Sequence, residues 1–248
     1  MEIATLDTGI CVMGGDQCLP HSIITQIYGI KSHEELLKKT DCPDEKCAIE
    51  KTLKPHMAEP ILDKYFKEEG PRDSNDLLNN FQIDGVLRKC TKQYKFRHIH
   101  FQMADFAHQP ISELKSYDPI PDIKAGMQSM ACVLNTDYTG GGGKHWVCIY
   151  VDYTSDPISI EYFNSTGNPP LESFNTYMIK LRMMINEVYN AEKVIVSDVE
   201  HQKGDSECGI YSLYYIYSRL NNIPYSDFDG KKLFTDEYVK NFRKVVFS

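Results

Sequence analysis

Four polar residues in the second half of the chain have the side chains needed for thiol-based catalysis. His145, Asn164, Gln202 and Cys208 each stand where an apolar run meets a polar segment. A cysteine becomes an effective nucleophile when its thiol loses a proton, and imidazole is the commonest base that takes it. The four residues therefore predict nucleophilic catalysis at a cysteine, provided that the fold brings them together.

Cys208 is the candidate nucleophile. It begins the segment CGIYSLYYIYSRL, in which apolar residues recur at helical spacing. The N-terminus of a helix lowers a thiol pKa because its free backbone N–H groups carry partial positive charge. Gly209 follows and would let a substrate backbone approach closely. Considered alone, Cys208 is better explained as a buried, inert helical cysteine, so its assignment depends on its partners.

His145 and Asn164 are the candidate base and its orienting partner. His145 opens the apolar run HWVCIYVD, and Asn164 closes the next run, ISIEYFN. If the two runs are adjacent antiparallel strands, the start of one lies beside the end of the other. The Asn164 carbonyl would then hold one ring nitrogen of His145 while the other faces the thiol.

Two further residues, His201 and Gln202, lie in the polar loop before the nucleophile. Gln202 precedes Cys208 by six residues, near enough for its amide to join the Cys208 backbone N–H in binding an oxyanion. His201 is a rival base. It shares a loop with the nucleophile, however, and the aspartates near it have no position fixed by the sequence. We therefore expect His145 to be the base.

The elements that must position these side chains are short apolar runs and two helical segments. MACVLN, HWVCIYVD, ISIEYFN and KVIVSDV are rich in the residues typical of buried strands. LESFNTYMIKLRMMINEVY separates the third run from the fourth and has helical periodicity, as does the segment that Cys208 begins. We expect an α+β fold with these strands in one sheet.

The segment 77–97 has an approximately helical pattern and contains a basic cluster: Arg88, Lys89, Lys92, Lys95 and Arg97. With the aromatic residues between them, these side chains could contact nucleic acid, but a solvated helix face is the simpler interpretation. The net charge of −8, from 27 basic and 35 acidic residues, also opposes non-specific nucleic-acid binding. Nucleic acid is therefore not the expected substrate.

The stretch 70–76, GPRDSND, divides the chain. Its Gly-Pro pair and polar residues predict a break between an N-terminal helical arm, 1–72, and a catalytic core, 73–248. Within the arm, Ser32 with Glu35 three residues later predicts a helix N-cap. The sequence lacks a signal peptide and any apolar stretch long enough to cross a bilayer, so we expect no contact with membranes.

The eight cysteines lack the dense, regular spacing of a secreted disulfide scaffold, so we expect reduced thiols. Cys42 and Cys47, with His56 nearby, raise the alternative of a metal site, but no second cysteine pair follows. We interpret the Cys42–Cys47 segment as a surface loop and expect neither a metal nor another cofactor.

The segments KHWVCIYVD, IEYFNSTGN and HQKGDSECG, in this order, resemble the SUMO and ubiquitin-like-protein protease superfamily, which includes the adenovirus protease. The stretches VLNTDYTGGGGKHW and GPRDSNDLLNNFQID resemble the maturation proteases of the asfarvirus type within it. The resemblance implies a papain-like core of permuted order, a central mixed sheet flanked by helices, with an N-terminal helical arm. It also implies Cys208 as nucleophile, His145 as base, Asn164 as orienter and Gln202 in the oxyanion hole.

The resemblance further implies a substrate. Asfarvirus-type enzymes cleave viral structural polyproteins at Gly-Gly-Xaa sites during virion maturation, in the viral factories of the host cytoplasm and in the virion. Trp146 is similar to the residue that walls the narrow substrate tunnel in this superfamily, although an ordinary core aromatic is the alternative. The superfamily commonly has aspartate where this chain has Asn164, so the imidazolium would lack a charged partner.

Two other functions are compatible with the sequence. Ubiquitin and its relatives also end in Gly-Gly, so the chain could instead remove such modifiers from host proteins as an isopeptidase. A non-catalytic binding module that keeps the fold is the third possibility. It is the least favoured, because all four catalytic positions are filled.

Overall fold

A computed structural model describes residues 18–196, 198–230 and 233–248 of the chain. The described residues form two compact units, 18–73 together with 244–248, and 74–243. The break falls between Asp73 and Ser74, and the last five residues belong to the first unit, whereas the sequence suggests a continuous core over 73–248. Residues 1–17 of the predicted arm, where a signal peptide would begin, lie outside the described residues.

The first unit is helical. Its helices are α1 (His21–Tyr28), α2 (His33–Thr40), α3 (Glu45–Thr52) and α4 (Pro55–Tyr65). The predicted cap is confirmed, since the Ser32 side chain accepts a hydrogen bond from the Glu35 backbone N–H at the start of α2. Fully buried aliphatic residues from three helices, Ile24, Leu36 and Ile49, form the centre of its core.

The cysteine pair of this unit differs from what the sequence predicts. Cys42 and Cys47 form a disulfide, so reduced thiols were the wrong expectation for these two residues. They do not form a surface loop either, because Cys42 is buried and Cys47 lies within α3. The polar DCPDEKC stretch suggested a loop, but Asp44 is an N-cap whose side chain accepts from the Cys47 N–H and starts the helix.

The second unit contains a five-stranded mixed sheet. Its strands are β1 (Phe96–Met103), β2 (Ser129–Asn135), β3 (Trp146–Asp152), β4 (Ile158–Phe163) and β5 (Ala191–Ile195), and they lie side by side in sequence order. The two outer pairs are parallel and the two inner pairs are antiparallel. Three of the four strands predicted from apolar runs are confirmed over nearly their full length, as is the α+β class with a mixed sheet flanked by helices. The fourth is confirmed only in part, because β5 ends at Ile195 and contains just the first three residues of KVIVSDV.

Two helices pack on opposite faces of this sheet, and six helices of the described residues accompany its strands along the chain. They are α5 (Asn80–Cys90), α6 (Glu113–Ser116), α7 (Pro119–Lys124), α8 (Glu172–Asn186), α9 (Cys208–Leu220) and α10 (Asp236–Val246), with short 3-10 helices at Phe106–His108 and Tyr225–Phe228. Alternate residues of β4 separate the two faces. Ile160 and Tyr162 join the core beneath α8, whereas Phe163 stacks on Tyr215 of α9. All thirteen residues of α9 are buried, which fixes the helix that carries Cys208.

The segment 77–97 is only partly the helix expected. Helix α5 ends at Cys90, and Phe96 and Arg97 already belong to β1. The basic cluster is therefore not one helix face. Arg97 makes a two-pronged ion pair with Asp122 from the strand, at 2.7 and 2.8 Å. Strand β1 has a weak apolar pattern because it is an edge strand, so the sequence did not reveal it.

None of the helices within the described ranges is both long and apolar enough to span a bilayer.

Candidate active site

The sheet brings His145 and Asn164 together. His145 directly precedes β3 and Asn164 directly follows β4, and these strands pair antiparallel with Cys148 opposite Phe163. The start of one strand therefore lies beside the end of the other, as the sequence predicts. Nε2 of His145 lies 2.7 Å from Oδ1 of Asn164.

The other hydrogen bonds of Asn164 fix which way its amide points. Oδ1 also accepts from the backbone N–H of Thr166 at 3.1 Å, and Nδ2 donates to the carbonyl oxygen of Asn168 at 3.0 Å. A backbone N–H must meet the oxygen and a carbonyl must meet the nitrogen, so the amide orientation is determined. Since Oδ1 only accepts, His145 donates from Nε2, and in the neutral ring its Nδ1 carries the free lone pair.

Cys208 occupies the first position of α9, next to the segment that carries His145. The backbone N–H groups of Trp146 and Gly209 lie close enough to the sulfur to lower the thiol pKa. Burial is the larger influence and raises the pKa above its ordinary value of 9.0, and the neighbouring Glu207 carboxylate raises it further. The helix N-terminus is thus in place as predicted, but it does not make Cys208 a thiolate by itself.

Burial also changes the imidazole. It lowers the pKa of His145 below the ordinary value of 6.5, and the hydrogen bond to Asn164 opposes this only in part. Asn164 is uncharged and therefore supplies orientation without stabilising imidazolium electrostatically. Both shifts favour the neutral thiol and the neutral imidazole over an ion pair, so the proton moves when a substrate arrives.

Gln202 is held by the strand end that carries Asn164. Its Oε1 accepts from the Ser165 hydroxyl at 2.7 Å, and its backbone N–H donates to the Ser165 carbonyl at 2.9 Å. Its Nε2 donates one hydrogen to the Gly204 carbonyl at 2.6 Å. The amide nitrogen has two hydrogens, so one is available for an oxyanion.

His201, the rival base, is a structural residue. It is 3% exposed, its Nε2 lies 3.1 Å from the carbonyl oxygen of Phe228, and its Nδ1 accepts from the backbone N–H of Phe234. Both ring nitrogens are therefore hydrogen-bonded to backbone groups, and burial lowers the pKa of His201 below its ordinary value. This geometry leaves no lone pair of His201 for the thiol.

Trp146 combines a packing role with a place at the site. Its Nε1 donates to the Leu78 carbonyl at 3.0 Å, and its ring meets Phe101 edge to face. It also lines a groove of about 490 Å³ together with Cys208. The core-aromatic and substrate-wall interpretations are thus compatible, because one side of the ring packs while the residue borders the groove.

Gly209 has a different purpose from the one expected. A Cβ at this position would lie 3.0 Å from Cβ of Leu78 and 3.2 Å from Cδ1 of Trp146. The space beside the helix start is therefore filled by the protein itself, and the close approach that Gly209 permits is that of these side chains.

The glycine loop 140–143 forms another side of the groove. Its C-terminal end is fixed by an amide oxygen and a carboxylate oxygen. Oδ1 of Asn135 accepts from the Lys144 N–H at 3.0 Å, and Asp137 accepts from the Gly143 N–H at 3.1 Å. The four glycines present bare backbone to the groove, which leaves room for an extended peptide.

Sequence reasoning missed three residues that build the site: Leu78, Asn135 and Ser165. Asn135 closes β2 as Asn164 closes β4, so the rule that found Asn164 would also have found it. Leu78 acts through its carbonyl group and through its side chain beside Gly209, and Ser165 acts through its hydroxyl and carbonyl groups. These are contacts between segments far apart in the chain, which residue type alone does not reveal.

The family model described as "Ulp1 protease family, C-terminal catalytic domain" matches residues 132–247. These residues include the last four residues of β2, all of β3 to β5, α9 and all four predicted catalytic positions.

Relatives extend the similarity to nearly the whole chain. The SUMO-1 cysteine protease S273R of African swine fever virus (isolate Pig/Kenya/KEN-50/1950) is 34% identical, over 94% of this chain and 91% of the relative. The putative thiol protease R355 of Acanthamoeba polyphaga mimivirus is 25% identical, over 89% of this chain and 74% of the relative. A crystal structure of the African swine fever virus pS273R protease superposes with a TM-score of 0.77 at 32% identity, over 94% of this chain and 92% of the other.

Proposed function

The chain belongs to the Ulp1 family of cysteine proteases, and we propose that it is a viral endopeptidase that cleaves structural polyproteins at Gly-Gly-Xaa sites during virion maturation. The observation that carries the proposal is the hydrogen bond between His145 and Asn164 beside the groove that contains Cys208. It leaves an imidazole with one nitrogen fixed and the other free to act as a base.

In the acylation step, Nδ1 of His145 takes the thiol proton of Cys208 as the sulfur attacks the scissile carbonyl carbon. The carbonyl oxygen becomes an oxyanion. When the tetrahedral intermediate collapses, His145 returns the proton to the departing amine and a thioester to Cys208 remains. Water then attacks the thioester with His145 again as base, releasing the carboxylic acid and the free thiol.

The oxyanion would be bound by the backbone N–H of Cys208 and by Gln202. The second hydrogen of the Gln202 amide is not used by Gly204, and the Ser165 hydroxyl holds the Gln202 carbonyl oxygen away from the oxyanion. Donors fixed in advance stabilise developing charge without having to reorganise.

Specificity for Gly-Gly is supported by the residues that line the groove. Trp146 borders it with an indole, and residues 140–143 border it with a loop that has no side chains. An extended backbone without side chains fits between such surfaces most closely, which favours glycine at the residues that flank the thiol. The similarity to the African swine fever virus enzyme gives the same expectation.

We further propose that the enzyme acts in the viral factories of the host cytoplasm and in the virion. The proposed partners are the structural polyproteins.

The second candidate function is removal of ubiquitin-like modifiers from host proteins. The family description and the name of the swine fever relative, a SUMO-1 cysteine protease, favour it. These modifiers end in Gly-Gly, so the same groove would accept them. A discriminating observation must therefore concern the whole substrate and not the scissile dipeptide alone.

The test incubates the full chain with three sets of substrates: Gly-Gly-Xaa peptides, SUMO conjugates and ubiquitin conjugates. The Cys208→Ala variant is the control for contaminating proteases. We expect peptide cleavage that the variant lacks, with conjugates left intact. Cleavage of conjugates at a higher kcat/KM than peptides would replace the maturation proposal with the isopeptidase function. Absence of all three activities, with a folded protein, would support the non-catalytic binding module.

A further inference from the structure

A second group of chemically active side chains lies in the catalytic unit, on α5 and β1. His98 and His100 are two residues apart on β1, where the register with β2 shifts between Ile99 and Gln102, and both imidazole rings contact the same carboxylate. Asp84 of α5 lies between them. Its Oδ1 is 3.0 Å from Nε2 of His98, and its Oδ2 is 3.2 Å from Nδ1 of His100. The catalytic mechanism uses none of these residues.

We propose that Asp84, His98 and His100 bind a divalent transition-metal ion, with Zn²⁺ the preferred ion. One donor atom from each residue lies within 4.8 Å of the others. In a tetrahedral zinc site with ligands about 2.05 Å from the metal, neighbouring ligand atoms are about 3.3 Å apart. The observed separations of 3.0 and 3.2 Å are close to that distance but run to different oxygens of Asp84. No two of the three ligand atoms lie more than 4.8 Å apart, so the imidazole rings have to close on one point around the ion.

The ligands are held in place by neighbouring groups. The backbone N–H of Phe101 donates to Oδ1 of Asp84 at 3.0 Å, and the backbone N–H of His100 donates to Oε2 of Glu113 at 3.0 Å. The first bond orients the carboxylate and the second fixes the strand position of His100. Such supporting hydrogen bonds are typical of metal sites.

The burial of the three side chains allows an ion to enter. The side chain of His98 is 5% exposed and that of Asp84 is 17% exposed, whereas that of His100 is 65% exposed. An ion would therefore approach from the solvent beside His100 and would be bound on its inner side by the two less exposed residues. Three protein ligands leave a fourth position for water.

The donor set favours zinc over the alkaline-earth ions. Two imidazole nitrogens and one carboxylate oxygen suit Zn²⁺, Cu²⁺, Ni²⁺ and Fe²⁺, whereas Mg²⁺ and Ca²⁺ prefer oxygen ligands alone. The free thiol nearest in the sheet, Cys132 of β2, is fully buried, and its Sγ is directed at the His100 carbonyl. A thiolate ligand is therefore not expected at this site.

A metal here would join α5 to β1 close to the substrate groove. Phe101 follows His100, hydrogen-bonds to Asp84, and packs its ring against Trp146 with 6.1 Å between ring centroids. Residues 84–100 precede the part of the chain that the family model matches. The ion would thus strengthen the attachment of an edge strand that carries one wall residue of the groove.

The test measures metal binding by the full chain in the Cys208→Ser background, which removes the catalytic thiol as a competing ligand. Zn²⁺ is titrated by calorimetry, and Co²⁺ is used as a spectroscopic substitute. We expect one bound equivalent that disappears in His100→Asn and is weakened at least tenfold in Asp84→Asn. His108→Asn, at an exposed histidine of the same unit, is the matched control and should keep the equivalent. The bound Co²⁺ should lack a thiolate charge-transfer band.

Thermal unfolding provides a second measurement, because a ligand that binds only the folded state raises the melting temperature. Zn²⁺ should raise it in the parent and in His108→Asn but not in His100→Asn. Circular dichroism establishes that the variants are folded, and His100 is exposed enough for its replacement to be tolerated. Equal Zn²⁺ affinity in His100→Asn and the parent, or a thiolate band with Co²⁺, would overturn the proposal. So would the absence of binding in the parent, which would leave an ordinary carboxylate–imidazole ion pair.

Discussion

Oδ1 of Asn164 accepts a hydrogen bond from Nε2 of His145 at 2.7 Å, while Nδ2 of the same side chain donates to the Asn168 carbonyl at 3.0 Å. An amide is the only common side chain of this size that can do both. Aspartate, which is common at this position in the superfamily, would place a carboxylate oxygen against that carbonyl. The local backbone therefore selects asparagine.

Asn164→Asp should accordingly lower activity, even though a carboxylate would stabilise imidazolium better. We expect kcat/KM to fall about tenfold, and on the order of 100-fold for Asn164→Ala, which removes orientation altogether. Asn190→Asp, at an exposed asparagine, is the control for added charge and should leave kcat/KM unchanged. An Asn164→Asp enzyme as active as the parent would show that the Asn168 contact does not determine the residue type.

The pH profile of kcat/KM should be that of an enzyme whose active form has a neutral thiol and a neutral imidazole. Burial lowers the pKa of His145 and raises that of Cys208. His145 must be neutral to accept a proton, so activity should rise with pH and reach its half-maximum below 6.5, the ordinary histidine value. Because the active form is neutral, no decline is expected near pH 8. A thiolate–imidazolium pair would instead lose activity as the imidazolium deprotonates, and a bell-shaped profile falling near pH 8 would contradict our assignment.

Much of this architecture follows from short-range patterns. Strands β2 to β4 are apolar runs whose residues are nearly all buried, and α8 and α9 have helical periodicity. Cys208, His145 and Asn164 could be assigned because each directly borders such an element. Antiparallel pairing of β3 and β4 then dictates that His145 meets Asn164.

The features that the sequence did not reveal depend on contacts between distant segments. Strand β1 is an edge strand with polar residues on its exposed side. It pairs with β2 in parallel, so no short hairpin turn between the two strands marks the pairing in the sequence. The purpose of Gly209 depends on Leu78, which is far away in the chain. The Cys42–Cys47 disulfide follows from the position of α3, which brings two cysteines of a polar stretch together.

Gln202→Ala should lower kcat by about 10²- to 10³-fold with little change in KM, because an oxyanion forms only after the substrate has bound. Gln202→Glu should be at least as inactive, since a carboxylate oxygen would face both the Gly204 carbonyl and the oxyanion. Gln128→Ala, at an exposed residue, is the control. Steady-state kinetics on a Gly-Gly-Xaa peptide provide the measurement, and a fall in kcat of less than threefold would remove Gln202 from the oxyanion hole.

The buried ion pair between β4 and α9 should dominate the stability of the catalytic unit. Glu161 is fully buried and accepts from Nε and Nη2 of Arg219, both at 2.9 Å. Arg219→Met would leave that carboxylate without its charge partner and should lower the free energy of unfolding by about 3 to 5 kcal/mol. The double variant Glu161→Gln/Arg219→Met should be less destabilised, because it removes the fully buried charge and leaves only the partly exposed Asp152 without its bond to Arg219. Urea unfolding followed by circular dichroism measures both.

The pair of Arg97 and Asp122, in which the arginine is half-exposed and the carboxylate side chain is 10% exposed, is the comparison for this measurement. It has the same two-pronged geometry, but the guanidinium side chain is 46% exposed, so solvent screens the interaction. Arg97→Met should therefore cost about 1 kcal/mol or less. Equal losses for Arg97→Met and Arg219→Met would mean that burial does not set the strength of these pairs.

Gly209→Ala tests whether packing at the helix start controls the catalytic geometry. In an exposed helix, alanine is more favourable than glycine by about 1 kcal/mol, so propensity alone predicts a more stable protein. Here the added methyl group would lie 3.0 Å from Leu78 and 3.2 Å from Trp146, and both must move. We expect the opposite sign, a loss of about 1 to 3 kcal/mol in the free energy of unfolding.

The same substitution should also affect catalysis. Because Trp146 borders the groove and adjoins His145, kcat/KM should fall at least tenfold. Gly142→Ala, in the glycine loop where an added Cβ meets no atom within 4 Å, should preserve stability and thus separates local crowding from a general effect of replacing glycine. If Gly209→Ala raised the melting temperature, the helix start would have free space beside it, and the role assigned to Leu78 and Trp146 there would be wrong.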